Sequence, residues 1–89
     1  MDNNELLRLK NFFDSSLYNK CIVRLIGNLE SNLSLSSFKY AINSDILTIV
    51  DTTCDYFIKI NLNQVCNVAF KKNSVCLFLD FDVSVLITF

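Results

Sequence analysis

Apolar and polar residues alternate with a period of two from Phe38 to the last position. Tyr56, Ile58, Ile60 and Leu62 interleave with Phe57, Lys59 and Asn61, and Val83, Val85, Ile87 and Phe89 interleave with Ser84, Leu86 and Thr88. A period of two sends one set of side chains to a core face, so these segments predict half-buried antiparallel strands. Polar turns separate them at 43–45, 51–55, 61–64, 71–73 and 80–82. Each except 71–73 carries two or more Asn or Asp residues, whose side chains bond their own backbone and which tolerate positive φ. Strands are expected over about 37–43, 46–51, 55–61, 65–70, 74–80 and 83–89. With glycine nearly absent, Asn73 is the expected positive-φ residue of the hairpin after Phe70.

The first third of the chain reads differently. Asp2 can cap a helix, with Glu5 three residues on in the capping-box position. Leu6, Leu9, Phe13 and Leu17 then form an apolar stripe at helical spacing, widened by Phe12. A helix over about 3–18 is expected, with Asn19 beyond it in the left-handed conformation. A strand over about 21–29 follows, and Gly27, the only glycine, marks a bulge or bend within it. In the Ser- and Asn-rich stretch 28–37, Leu33 and Leu35 alternate, but the phase slips before Phe38, Tyr40 and Ile42. A bulge at Ser36 and Ser37 or a loop would account for that slip.

These elements make a single α+β domain over residues 1–89. An N-terminal amphipathic helix is followed by an antiparallel meander of about six strands forming a curled sheet or small barrel. The helix is expected to cross the sheet or plug one end. A run of about 18 apolar residues is missing, so no transmembrane segment is expected. Asp2 and Glu5 are the wrong chemistry for a secretory leader, which points to the cytoplasm.

Composition changes the picture in two ways. Hydrophobic residues make up 52% of 89 positions, more than so small a domain can hide. Phe57, Phe81 and Leu86 are therefore expected on a contact surface for a protein partner or a second copy. Scarce Gly and absent Pro, His and Trp, with abundant Asn, Ile, Lys and Phe, indicate AT-rich coding, as in a low-GC bacterium or its phages.

The same absences remove most catalytic chemistry. Without His there is no base to activate Ser or Cys, and one glycine cannot build a phosphate-cradling loop. Cys21, Cys54, Cys66 and Cys76 form no C-x-x-C pair, so no zinc site is expected and the thiols read as small hydrophobes. A three-residue loop at 71–73 would set Val68 opposite Cys76 and Cys66 opposite Phe78, too far apart for a disulfide. The remaining acid–base candidates, Asp80 with Asp82 and Asp51 with Asp55, lie in turns. No enzyme activity, cofactor or metal is expected.

Net charge is −1, against the basic excess of a non-specific nucleic-acid binder, so nucleic acid is not the expected partner. In a meander the turns alternate between two ends. One end then gathers Asp45, Asn61, Asn63, Asp80 and Asp82 without a cation; the other mixes Asp51 and Asp55 with Lys71 and Lys72. The rim of Asp45, Asp80 and Asp82 suits docking on a basic groove, or weak binding of a divalent cation. The resulting expectation is a non-catalytic protein-binding module, with an edge such as the final strand also able to dock. In narrower form it is a phage or mobile-element inhibitor of a host nucleic-acid-handling defence complex, similar to anti-CRISPR proteins. One alternative is a self-assembling structural module. Another is a single-strand binder using Arg24, Lys39 and Lys59 beside Phe57. The helix-then-strands order resembles Sm-like or OB-like barrels in outline, without a signature motif and with one or two strands more.

Overall fold

The capping box forms as the sequence requires. In the computed structural model, which describes residues 1–80 and 82–89, the Asp2 carboxylate accepts from the Glu5 amide at 2.7 Å, and Glu5 reaches back to the Asp2 amide. Helix α1 spans Asn3–Asp14 and buries Leu9 and Phe13 completely. It ends four residues before the expected boundary, because Ser15 caps it and donates its hydroxyl to the Phe12 carbonyl. Serine competes for backbone groups in this way and does not propagate a helix. Tyr18, rather than Asn19, takes the left-handed conformation (φ 67°).

Eight strands follow: β1 (Cys21–Ile26), β2 (Ser31–Leu35), β3 (Phe38–Asn43), β4 (Ile46–Asp51), β5 (Phe57–Asn61), β6 (Val65–Phe70), β7 (Ser74–Leu79) and β8 (Ser84–Thr88). A single 3₁₀ turn, Leu62–Gln64, joins β5 to β6. The protein is therefore mixed α and β, mostly β. The strands make two antiparallel sheets, one ordered β2-β1-β8-β7-β6 and the other β3-β4-β5. A single continuous meander is thus corrected, because β1 pairs with β8 from the far end of the chain, Val23 opposite Ile87. The final strand is central in its sheet, not an edge. Among the described residues the sheets do not join edge to edge into a barrel.

The stretch 28–37 resolves into a turn, strand β2 and a crossing. Ser36 and Ser37 carry the chain from the larger sheet to the smaller one, which explains the slip in phase. Gly27 sits in the β1–β2 turn with an ordinary negative φ, and a Cβ there would meet Val83 Cγ2 at 3.5 Å. After β6, four residues separate the paired Phe70 and Val75, so Val68 faces Leu77 and Ala69 faces Cys76. Cys66 falls at an irregularity in that ladder. The three-residue loop is corrected accordingly, and Asn73 does not have positive φ; Ser44 and Asp82 do, at 54° and 60°.

Between the sheets lies a core of Val23, Leu35, Leu47, Ile49, Val75, Leu77, Val85 and Ile87. Helix α1 closes one end of it with an aromatic cluster. The Phe13 ring centroid lies 5.2 Å from that of Phe38 and 5.0 Å from Tyr40, and Phe12 lies 5.7 Å from Phe89 and 6.0 Å from Phe70. Register places the turns 27–30, 44–45, 62–64 and 80–83 at the opposite end.

Candidate functional site

Strand direction alone assembles that loop end. The Leu62 amide donates to the Asp45 carbonyl at 2.7 Å, and the Asn63 side-chain amide donates to the Asp45 carboxylate at 3.0 Å. Two positions further along the chain from Gln64, the Cys66 thiol donates to Asp80 Oδ1 at 2.8 Å. Gly27, across from Val83, brings the β1–β2 turn to the same end. Glu30, Asp45, Asp80 and Asp82 all stand exposed there, and the turns that hold them contain no Lys or Arg. Arg24, on β1, reaches Glu30 only at 3.9 Å.

Apolar side chains accompany these carboxylates. Leu29 is 87% exposed at the tip of the β1–β2 turn, and Leu25 and Val83, at the loop end of the inner face, remain partly open. Sequence reasoning missed Glu30 and Leu29, since Leu29 reads as the end of a strand over 21–29 and Glu30 falls in the Ser- and Asn-rich stretch that carries no clear pattern. Among the described residues no three Cys, Asp or Glu groups are close enough to hold a metal ion. The carboxylates form a dispersed rim rather than a chelating cluster.

The other expected site residues separate. Phe57 is 61% exposed on the outer face of the β3-β4-β5 sheet. Leu86 is half-buried on the outer face of the larger sheet, and Phe81 lies outside the described residues. Around Leu86, Ala69, Cys76 and Phe78 line a shallow groove of about 270 Å³. The grouping of Arg24 with Lys39 and Lys59 is corrected: Arg24 belongs to β1 in the larger sheet, whereas the two lysines share the smaller sheet with Phe57. The lysines stay together because both are in phase with outward-facing positions. Lys39 opposes Val50, which opposes Phe57, and Lys59 opposes Thr48.

Asp51 has a different role from the one its turn position suggested. It is the buried charged residue among those described, 4% exposed, at the inward end of β4. The Thr53 hydroxyl donates to it at 2.7 Å, the Thr53 amide at 3.0 Å, and the Ser36 and Ser37 amides at 2.8 and 3.3 Å. These bonds, led by the Thr53 hydroxyl, hold its carboxyl well below the usual carboxylate range. Asp51 thereby latches the crossing between sheets and is unavailable for acid–base work.

Cys21 and Cys66 are similarly quiet. Burial pushes Cys21 up to about 12, and its bond to Asp80 raises Cys66. All four cysteines are free. A hollow of about 420 Å³ beside Lys20, Ile22, Ser34 and Phe89 contains no paired acid and base. No helix among the described residues is long and apolar enough to cross a membrane. Comparison with protein-family models, curated proteins and solved structures finds no match.

Proposed function

We propose that the chain is a non-catalytic protein-binding module that docks through its loop end. The observation that carries this reading is the placement of Glu30, Asp45, Asp80 and Asp82 in cation-free turns at the same end of the fold as the exposed Leu29. An apolar contact ringed by charge of one sign is how protein interfaces combine affinity with register. The fitting partner is a basic surface with an apolar notch. In the narrower form, carboxylates replace phosphates on a nucleic-acid-handling defence complex of a bacterial host, and the chain is an anti-CRISPR-like inhibitor from a phage or mobile element acting in the cytoplasm. That form rests on AT-rich coding and on the absence of His and of a phosphate-cradling glycine loop from the sequence. Self-assembly is the second reading, favoured by Ile22 and Phe78, 45% and 39% exposed beside Leu86 on the outer face of the larger sheet.

The test is capture from a host lysate, before and after nuclease treatment, with the chain and its Asp45→Asn/Asp80→Asn/Asp82→Asn variant. Docking through the rim predicts a defined protein complex that survives nuclease. Binding should fall at least tenfold in the variant while its circular dichroism and melting temperature stay close to the parent's. A complex captured equally well by both proteins would remove the rim from the interface.

A further inference from the structure

The outer face of the β3-β4-β5 sheet has a character opposite to that of the loop end. Its rows run Lys39–Val50–Phe57, Ala41–Thr48–Lys59 and Asn43–Ile46–Asn61. Two lysines stand on it and no carboxylate does. Asp51 turns inward from the same sheet, and the nearest acids along the chain, Asp45 and Asp55, lie in the turns beyond it. A protein of net charge −1 thus carries a locally positive face. Phe57 projects from it 61% exposed, with the Lys59 ammonium 5.6 Å from its ring centroid, and Tyr56 beside it is 59% exposed.

We infer that this face binds single-stranded nucleic acid. An aromatic ring held open on a rigid strand costs apolar exposure unless something covers it, and a base is the flat, sequence-tolerant group that stacks there. Lys59 adjoins that ring and Lys39 stands across Val50 from it, so both can meet the backbone phosphates by charge complementarity, while Thr48 and Asn43 offer hydrogen bonds to base edges or sugar. Three strands give a platform roughly 10 Å by 18 Å, room for about two or three nucleotides. A duplex buries its base faces and has nothing to set on Phe57. The site is therefore selective for single strands and modest in affinity. This inference does not depend on docking through the loop end, which uses other residues.

The experiment is fluorescence anisotropy of labelled 12-residue oligo(dT) and oligo(U) titrated with the whole chain, with a duplex and heparin as controls. Binding is expected at about 10–100 μM in low salt, with a slope of log affinity against log salt near −1.4 for two phosphates. Lys39→Ala with Lys59→Ala should flatten that slope, and Phe57→Ala should weaken binding about tenfold without altering it. Asp45→Asn/Asp80→Asn/Asp82→Asn should not weaken binding. Thermal melts of each variant separate lost binding from lost fold, and all six substituted side chains are exposed. Three outcomes would overturn the inference: absence of binding at low salt, equal affinity for duplex or heparin, or oligonucleotide affinity indifferent to Phe57→Ala.

Discussion

A carboxylate in a core normally signals either a site or a mistake, and Asp51 is neither. Four donors surround it, and three of the donor groups belong to the backbone of the crossing and of its own turn. The native state therefore favours the ionised form. With its folded pKa lowered below an unfolded value of about 3.9, its contribution is complete above that value and is lost as pH falls toward the folded one. Asp51→Asn should lower the melting temperature by roughly 5–10 °C at pH 7. The gap to the parent should narrow in melts taken from pH 5 down to 2. A gap that stayed constant would assign the loss to shape rather than charge. Asp51 could have been identified from the sequence, because it shares the inward phase of Leu47 and Ile49. Its position next to a turn concealed that, since Asp in turns usually bonds locally and faces water. Glu30 and Leu29 were hidden for another reason: a turn with one glycine and no Pro does not punctuate a strand strongly.

Among the elements, α1 was the most legible, since a capping box and a stripe at helical spacing specify start and face together. Its role as an end plug was legible only as one of two options, because the partner rings, Phe38, Tyr40, Phe70 and Phe89, come from three strands whose order local pattern does not encode. Phe13 contacts three of these rings and is fully buried. Phe13→Ala should cost about 3–5 kcal/mol in urea unfolding, a large share of the stability of so small a domain. A loss under 1 kcal/mol would mean that the helix is not needed to seal the core. Seven of the eight strands lay within expected segments because alternation is a local signal. Strand β2 was missed since Ser31, Asn32 and Ser34 have weak strand preference, and its identity depends on pairing with β1. Pairing of β1 with β8 was invisible for the same reason: it is decided by which inner faces match once both sheets exist, not by any residue near either strand.

At the scale of the molecule, the chain leaves 5789 Å² accessible, whereas a compact monomer of its mass exposes roughly 5,300 Å². The surplus fits a sandwich plugged at one end, with bare outer faces. It does not require a second copy. The outer face of the larger sheet measures roughly 450 Å², about half of what each partner buries in a stable interface. Light scattering at micromolar concentration should therefore give the monomer mass, 10.2 kDa. A dimer that Leu86→Asp converts to monomer would establish self-assembly instead. The site was less legible than the fold. Turn alternation correctly gathered Asp45, Asp80 and Asp82 at one end, but Arg24 was grouped with the two lysines because phase tells a face from its reverse, not one sheet from another. The central place of β8 bears on synthesis as well. The slot between β1 and β7 stays empty until β8 has been translated, about 60 residues after β1, or some 3–12 s at ordinary elongation rates. Throughout that interval the nascent chain displays the unpaired edge of β1, joined by that of β7 only just before β8 is made, so its dependence on ribosome-associated chaperones should exceed that of a consecutive meander of equal length.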